Sequence, residues 1–233
     1  MRDTDVSVEH IAVETERVVA TAASLRNDAV LAPSLCAGWS RGHVLSHLAR
    51  NADALGRVCT VALTGEPATM YASQEARDAE VEAGARRPAA AQAADILESA
   101  ERLEALLGAL HPEHADIEVE RVPGGPRIAV GWVPFMRLRE LAFHHVDLDA
   151  CFRFDRMAPE VVDLLLTDSV ERLGRHADAP SVRLATPEGG SWVVGDGRTL
   201  VTGTPAGLLL WVARGLTDDV TIDGPPPTLP FGG

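Results

Sequence analysis

Two pairs of side chains, each spaced four residues apart, are the first candidates for chemistry. Glu140 and His144 lie in a stretch without glycine or proline, and His43 and His47 lie in an upstream stretch that begins at Gly38. Residues four apart on an α-helix are stacked one turn apart on the same face. Each pair could therefore close on one metal ion. The alternative is that each pair lies on a solvated or packed helix face.

A combination of the two stretches gives a more complete site. His47, Glu140 and His144 would supply three protein ligands and leave open coordination positions, as catalytic zinc sites do. Two histidines and one carboxylate would also accept iron, nickel or cobalt. The sequence therefore predicts a divalent-metal site with zinc as the favoured ion.

The neighbouring polar residues have weaker claims to the ion. His43 falls in the first turn of its helix, near Ser40, where an exposed or capping residue is expected. His145 points about 100° away from His144 on the same helix, so both are not expected to bind one ion. Asp147, three residues after His144, could orient its ring, but it could equally be an ordinary acid at a helix end.

Arg77 and the cysteines are the remaining candidates. Arg77 lies in a polar stretch and could be a surface residue or a functional one. Cys36, Cys59 and Cys151 are odd in number, widely spaced and without a CxxC motif, which favours reduced thiols over a disulfide framework. Cys36 could be a nucleophile, although a small buried residue is the commoner role for cysteine.

The composition excludes several classes of function. Acidic residues outnumber basic ones by 34 to 21, the net charge is −13, and every basic residue is arginine. Absence of lysine excludes a Walker-A lysine and a Schiff-base lysine. An acidic chain without a basic run is a poor binder of nucleic acids and anionic membranes. No apolar run approaches the roughly 20 residues of a membrane helix, and no signal peptide is evident, so we expect a cytoplasmic protein.

The pattern of apolar residues indicates which elements position these side chains. Long helices are predicted for Val6–Leu25, for Ser40–Thr64 with Ser40 as N-cap, for the alanine-rich run from Pro88 to Leu110, and for the segment with Glu140 that ends near Cys151. The polar segment 70–84 is expected to begin as a loop. Four long helices with one longer crossover predict a four-helix bundle, in which sites are built from inward-facing side chains.

The remaining segments predict short strands and two further helices. Strands are expected at Ile117–Val122, Arg127–Val130, Val182–Thr186, Ser191–Val194, Thr199–Thr202 and Val220–Ile222, helices at Glu160–Arg175 and Pro205–Arg214, and a proline-rich tail at 224–233. Glycine-rich turns between the third, fourth and fifth of these strands favour a β-meander. We therefore predict an α+β fold, with a bundle in residues 1–154 and a small α/β domain in residues 155–233.

Three groups of residues, in this order and spacing, resemble a known family. They are Gly38-Trp39-Ser40 followed by His47-Leu48, Met70-Tyr71 followed by the segment 77–84, and Arg139-Glu140 followed by His144, Asp147 and Leu148. Together they span about 110 residues. The chain resembles the mycothiol-dependent maleylpyruvate isomerases, whose N-terminal half is a DinB-like metal-binding bundle, and its α/β part resembles their C-terminal domain.

The resemblance implies specific roles. It makes His47, Glu140 and His144 ligands of Zn²⁺ or another divalent transition metal, and Arg77 a catalytic arginine that faces the substrate or the thiol. It implies mycothiol as the thiol and maleylpyruvate, a product of gentisate ring cleavage in aromatic catabolism, as the substrate. One departure is the sequence that follows Tyr71, which reads Ala-Ser-Gln where the family has a turn resembling Pro-Gly-Gly.

Two other functions stay open at this stage. The chain could be a mycothiol S-transferase that releases the thioether, or a non-enzymatic DinB-like module that binds a metal or a small molecule. We expect an electrophilic small molecule and a low-molecular-weight thiol as partners, no nucleic acid or membrane, and a monomer or small homo-oligomer.

Overall fold

The computed structural model of the protein describes residues 8–230. The chain forms two compact units, Met1–Ala150 and Cys151–Gly233. Helices dominate the first unit, and the second contains a four-stranded sheet with two α-helices, so the predicted α+β class is confirmed. The division into a metal-binding bundle domain of residues 1–154 and a small α/β domain of residues 155–233 stays a proposal. Within residues 8–230, no helix has both the length and the hydrophobicity that crossing a membrane requires.

Four long helices of the first unit form a bundle. The α-helices of this unit are α1 (Val8–Ser24), α2 (Asn27–Val30), α3 (Arg41–Thr64), α4 (Gln74–Gly84), α5 (Ala89–Gly108) and α6 (Val133–Asp147). Both α5 and α6 pack against α1 and α3. The core between them contains fully buried residues such as Leu45, Leu55, Ile96, Leu138 and Leu141. The predicted four-helix bundle is confirmed, and only residues 6 and 7 of its predicted first helix lie outside the described residues.

Local signals fix both ends of α3. The hydroxyl of Ser40 accepts a hydrogen bond from the backbone N–H of His43, as an N-cap does. At the other end Gly65 adopts a left-handed conformation with φ of 73° and donates its N–H to the carbonyl of Val61. The predicted bounds of this helix are therefore confirmed. Because the N-cap is Ser40, His43 lies in the first turn of α3 and His47 one turn further along.

The segment 70–84 is a loop only at its beginning. Residues 70–73 are extended or bent, and α4 then begins at Gln74, with Ser73 as its N-cap. The end of α4 packs closely on α3, because a Cβ atom at Gly84 would meet the side chain of Ser46 and one at Gly42 would overlap the carbonyl of Ala85. This close approach holds α4, which carries Arg77, against the helix that carries His47.

Short strands were predicted in the crossover between α5 and α6, and they are present as β1 (Glu118–Glu120) and β2 (Arg127–Ala129), which pair as an antiparallel hairpin. The Cys151–Gly233 unit contains α7 (Pro159–Gly174), β3 (Val182–Ala185), β4 (Ser191–Val194), β5 (Thr199–Gly203), α8 (Pro205–Arg214) and β6 (Val220–Ile222). Helices α7 and α8 pack on each other, and Trp211 of α8 is buried. Residues 224–230 form no regular element, and the rest of the predicted tail lies outside the described residues.

The predicted β-meander is wrong. The strand order is β4-β3-β5-β6, and β5 pairs with β3 in parallel rather than with β4. Burial on the inner face gives the physical reason: Val182 and Leu184 on β3 and Val201 on β5 are fully buried, whereas β4 buries only Val194 at the position paired with Val182, and its Trp192 is half-buried. The strands with fully buried apolar side chains occupy the centre of the sheet, and β4 forms an edge.

Candidate metal centre

Helices α3 and α6 bring the three predicted ligand candidates together. The Nε2 atom of His47 lies 2.7 Å from Oε2 of Glu140, and Nε2 of His144 lies 3.3 Å from the same oxygen. One potential ligand atom from each of the three residues lies within 4.8 Å of the other two. The two distant stretches of sequence therefore meet at one point, where two imidazoles and a carboxylate face one another.

The spacing and the exposure of these groups suit a divalent ion. Two ligands of a tetrahedral zinc, each about 2.0–2.1 Å from the ion, lie roughly 3.3 Å apart. The His47 side chain is 5% exposed, whereas those of His144 and Glu140 are 17% and 23% exposed. The donors are thus mostly shielded but still open on one side, which leaves room for an additional ligand. The donor set and its spacing fit the metal that the resemblance implies.

Asp147 holds the ring of His144 from behind. Its Oδ2 atom lies 2.8 Å from Nδ1 of His144, and its side chain is fully buried. Burial alone would lower the pKa of His144, but contacts with Asp147, Cys36 and Glu140 raise this pKa well above its usual value. A carboxylate on Nδ1 fixes both the orientation and the tautomer of a histidine, which leaves Nε2 directed at Glu140.

Cys36 lies beside this pair, which sequence reasoning did not anticipate. Its Sγ atom donates to Oδ2 of Asp147 at 3.1 Å and lies 3.9 Å from Nδ1 of His144. Cys36, His144 and Asp147 form a second group with ligand atoms close enough to hold an ion. The two groups share His144 but use different nitrogens of its ring. The second group includes the fully buried Asp147, so it offers an incoming ligand less room than the first.

Burial and contacts within the cluster determine the charges of Glu140 and His47, the other two proposed ligands. Burial would raise the pKa of Glu140, but hydrogen bonds with His144 and His47 hold this pKa well below its usual value. Burial lowers the pKa of His47, and this effect outweighs its hydrogen bond with Glu140. At neutral pH Glu140 is therefore an anion and His47 a neutral imidazole, which are the protonation states that a metal ion requires, whereas His144, whose pKa is raised, has to release its Nε2 proton when an ion binds.

Arg77 extends from α4 to the same place. Its Nη2 atom lies 3.3 Å from Nδ1 of His47, and its Nη1 atom donates to Asp78 at 2.8 Å. Its guanidinium carbon lies 6.0 Å from the Trp39 ring centroid and 5.9 Å from that of Tyr71, within the range of cation–π attraction. The Nε atom is buried and has no hydrogen-bond partner within the described part of the chain. The guanidinium therefore has donor capacity that protein groups do not use, although the Nε atom itself is covered by the protein.

Trp39 forms an aromatic wall that the sequence did not identify as part of the site. Its ring centroid lies 5.4 Å from that of His47 and 6.4 Å from that of His144. In the sequence, Trp39 entered only as part of the tripeptide Gly38-Trp39-Ser40 that matches the family. Its position one residue before the N-cap Ser40 was the signal that could have placed it beside the first turns of α3. An apolar wall beside the imidazoles restricts how water reaches them.

Arg137 is a second residue that the sequence did not reveal. It is completely buried on α6, and its Nη1 atom donates to the carbonyl of Leu48 at 2.7 Å and to the side chain of Asn51 at 3.1 Å. Leu48 directly follows His47, and Arg137 lies one helical turn before Glu140. This contact links the two ligand-carrying helices next to the candidate ligands.

The other histidines of the two stretches lie outside the centre. The Nδ1 atom of His43 accepts from the backbone of Ser40, and its Nε2 atom lies 2.8 Å from Glu82, so the predicted capping role is confirmed. The Nε2 atom of His145 lies 2.7 Å from the hydroxyl of Thr21 on α1. Neither residue belongs to the described groups that could hold an ion.

Comparison with known proteins places this geometry in a family. No curated protein sequence matches the chain significantly. Among solved structures, the crystal structure of the mycothiol-dependent maleylpyruvate isomerase is similar to it, with a TM-score of 0.84, 25% identity and 94% of each chain covered. A variant of that enzyme with one histidine replaced by alanine matches equally well. The family model described as mycothiol maleylpyruvate isomerase N-terminal domain matches residues 11–149, more than half of the chain, and the protein therefore belongs to that family.

Proposed function

We propose that this protein is a metal-dependent cis–trans isomerase that uses mycothiol to convert maleylpyruvate into fumarylpyruvate. The observation that carries the proposal is the convergence of His47, Glu140 and His144 from two helices, with Arg77 beside them. Family membership and the likeness to a solved enzyme of that name support the substrate and the thiol.

The reaction explains why a thiol is needed. Rotation about a carbon–carbon double bond requires that its π bond be broken. When a thiolate adds to the alkene, a carbon–sulfur bond forms and the π electrons move onto the conjugated carbonyl as an enolate. The carbon–carbon bond is then single and rotates. When the enolate returns its electrons, the carbon–sulfur bond breaks, the thiolate leaves, and the trans alkene is formed.

We assign His47, Glu140 and His144 as the ligands of Zn²⁺ or another divalent transition metal. Such an ion, when bound, supplies Lewis acidity that lowers the pKa of a thiol or polarises the carbonyl oxygens of the substrate. The protein's own residues orient the ligand atoms and set their charge. Asp147 keeps a proton on Nδ1 of His144, so that Nε2 is the atom available for ligation, and the anionic Glu140 supplies negative charge.

We assign Arg77 the role of a carboxylate clamp. Both substrate and product carry carboxylates, and the planar guanidinium fork pairs with such groups through two parallel hydrogen bonds. Asp78 and the aromatic rings of Trp39 and Tyr71 surround the guanidinium and restrict its movement, while its buried Nε atom retains donor capacity. A substrate held at this arginine would lie beside the three proposed ligands.

A mycothiol S-transferase is the second candidate. The observation that favours it is the loop before α4, where Ala72 and Ser73 replace the turn that the family resemblance leads one to expect. This loop adjoins Tyr71 and Arg77, so a change in its shape alters the space for the electrophile. A transferase would use the same metal and thiol but release the thioether instead of eliminating the thiol.

Product analysis distinguishes these functions. Purified, zinc-loaded protein is incubated with maleylpyruvate in the presence and absence of mycothiol, and the products are followed by proton NMR. The isomerase proposal requires a trans product whose formation needs only catalytic amounts of thiol. Stoichiometric consumption of thiol with a stable thioether would support the transferase. If no thiol-dependent turnover of any cis-enedione acid is seen, the chain is better described as a DinB-like binding module.

A further inference from the structure

Tyr71 is the only tyrosine of the chain, and its side chain lies beside the proposed metal centre. The residue is 4% exposed, and its backbone N–H donates to the carbonyl of Arg121 at 2.9 Å. Its ring centroid lies 5.9 Å from the guanidinium carbon of Arg77, whose Nη2 atom is in turn 3.3 Å from Nδ1 of His47. One guanidinium therefore connects Tyr71 with a proposed ligand of the ion.

A second guanidinium lies on the same ring. The guanidinium carbon of Arg121, the residue that follows β1, is 5.5 Å from the ring centroid, and its Nη1 atom donates to the side chain of Gln74 at 3.3 Å. The charges of Arg77 and Arg121 both act on the Tyr71 hydroxyl, and so does that of Glu140. In a chain with a net charge of −13, two cations at one ring reverse the charge locally and favour an anionic oxygen nearby.

The hydroxyl of Tyr71 keeps its proton and is available as a donor. Burial raises its pKa, the charge of Glu140 raises it further, and Arg77 and Arg121 lower it by less, so the phenol is neutral at pH 7. Within residues 8–230 no group accepts its proton, and its oxygen is not closed off from solvent as the Nε atom of Arg77 is. A molecule bound in the site can therefore accept this hydrogen bond.

The proposed isomerisation creates an oxygen that needs such a donor. Addition of the thiolate to the alkene moves negative charge onto the conjugated carbonyl oxygen, and the charge leaves this oxygen again when the thiolate departs. A neutral O–H group directed at that oxygen stabilises the enolate more than the ketone, because the hydrogen bond strengthens as the charge develops. A substrate whose carboxylate is held by Arg77 would lie next to both the Tyr71 hydroxyl and the proposed ligands.

We propose that the hydroxyl of Tyr71 is a catalytic hydrogen-bond donor to the enolate oxygen that forms when the thiolate adds to the alkene. This role rests on the proposed isomerase function and assigns that function a further residue. No covalent bond to Tyr71 forms, and its proton stays on the phenol oxygen during addition, rotation and elimination. The backbone pairing with Arg121 and the two guanidinium groups at the ring hold the hydroxyl in place.

The substitution Tyr71→Phe tests this role, because it removes the hydroxyl but keeps the ring on which the two arginines lie. The matched control is Thr60→Val, which removes an exposed hydroxyl of α3 that bonds to the carbonyl of Gly56 in its own helix. Steady-state rates of the zinc-loaded proteins with maleylpyruvate and mycothiol are compared. We expect Tyr71→Phe to lower kcat by about 100-fold with KM and zinc content near those of the wild type, since the donor acts in the transition state. Thr60→Val should match the wild type.

The possible outcomes separate this role from the proposed function. A wild-type kcat in Tyr71→Phe would overturn the role alone, and so would a raised KM with unchanged kcat, which would show that the hydroxyl only binds the substrate. If the wild-type protein itself shows no thiol-dependent isomerisation, the proposed function falls and the role of Tyr71 falls with it.

A second measurement does not depend on turnover. Because Tyr71 is the sole tyrosine, protein produced with 3-fluorotyrosine carries one fluorine, next to the hydroxyl. Acetopyruvate is a 2,4-dioxo acid without the alkene, so it presents similar carbonyl groups but cannot add a thiol. We expect acetopyruvate to shift the fluorine NMR resonance of the zinc-loaded protein, since the fluorine senses the hydrogen bonding of the adjacent hydroxyl. A resonance that stays unchanged at saturating acetopyruvate would show that the hydroxyl does not reach the bound molecule, and it would overturn the proposal.

Discussion

The Nη1 atom of Arg137 on α6 lies 2.7 Å from the carbonyl oxygen of Leu48 on α3. Leu48 directly follows His47, and Arg137 precedes Glu140 by one turn, so this buried hydrogen bond fixes the spacing of the two helices next to the proposed ligands. Charge-assisted hydrogen bonds are among the stronger ones in proteins. The three proposed ligands therefore do not depend on an ion to be brought together.

The ligand assignment predicts a clear separation among three histidines. His47→Ala and His144→Ala should each abolish stoichiometric zinc binding, because two remaining ligands hold zinc poorly. His43→Ala should bind zinc as the wild type does, since its side chain caps α3 and contacts Glu82. Zinc content after dialysis, measured by atomic emission, with circular dichroism to verify folding, tests this. Full zinc content in His144→Ala would refute the assignment.

Arg77→Ala should retain zinc but lose turnover. Because the arginine is assigned to position a carboxylate of the substrate, we expect a loss in kcat/KM of about 100-fold or more. The matched control is Arg86→Ala, which removes an exposed arginine just beyond α4. Steady-state rates with maleylpyruvate and mycothiol provide the measurement. If Arg77→Ala proceeds at the wild-type rate, the clamp role is wrong.

Asp147→Asn should weaken zinc binding without removing any proposed ligand. The amide cannot hold the Nδ1 proton of His144 as a carboxylate does, and loss of such a partner typically costs 10–100-fold in metal affinity. Asp149→Asn is the isosteric control, because Asp149 lies beyond the end of α6 and is half exposed. Competition titrations with a chromophoric chelator give both affinities. Equal affinities for the two variants would mean that Asp147 is only a structural acid.

The burial of His145 predicts that the folded protein loses stability as the pH falls below 6.5. Burial lowers its pKa from 6.5 to about 3. Above pH 6.5 the ring is neutral in both states, so its contribution to stability is fully present. Between pH 6.5 and 3 the unfolded chain binds a proton that the folded chain does not, so the free energy of unfolding falls by about 1.4 kcal/mol per pH unit.

The substitution His145→Gln removes this titration. Urea unfolding between pH 7 and pH 4 should then show a shallower loss of stability than in the wild type, although other groups still titrate in this range. His111→Gln, at an exposed position, should leave the wild-type slope unchanged. Identical slopes in the His145 variant and the wild type would show that the buried ring is not kept neutral.

The close approach of α3 and α4 at Gly42 predicts that a larger residue at this position destabilises the protein. A Cβ atom there would overlap the carbonyl of Ala85 and approach Val30, so Gly42→Ala should destabilise the protein by about 1–3 kcal/mol. Gly108→Ala, at the end of α5 with no atom close to its new Cβ, should be neutral or stabilise by up to about 1 kcal/mol. Urea midpoints compare the two. Equal stability of both variants would contradict the close approach of α3 and α4.

Local signals in the sequence were sufficient for most helices. Ser40 and Gly65 marked the ends of α3, and the spacing of Glu140 and His144 predicted that both would lie on one face of α6. In contrast, α4 was recognised only as a polar segment. Its hydrophobic face is limited to the buried Val81, so its stability depends on close packing against α3, which no local pattern encodes.

Contacts between distant segments were the least predictable part of the site. The spacing within α6 says nothing about which residue of α3 it will meet. His47 was preferred to His43 because His43 falls in the first turn of its helix, and the resemblance then supported that choice. The sequence offered Cys36 only as a possible nucleophile or a small buried residue, yet it is a hydrogen-bond donor to Asp147, which lies 111 residues away. Similarly, glycine turns indicated strands β3 to β5, but strand order depends on which faces are buried.

The thiol of Cys36 gives the experimenter a built-in reporter. Its sulfur shares the Asp147 oxygen that holds His144, so an alkyl group attached there must disturb the support of that ring. In a Cys151→Ser background, which removes the exposed cysteine, the rate of iodoacetamide labelling at Cys36 would track how firmly this corner of the bundle is closed. Oxidation of the Cys36 thiol during storage without a reductant would then alter the site itself.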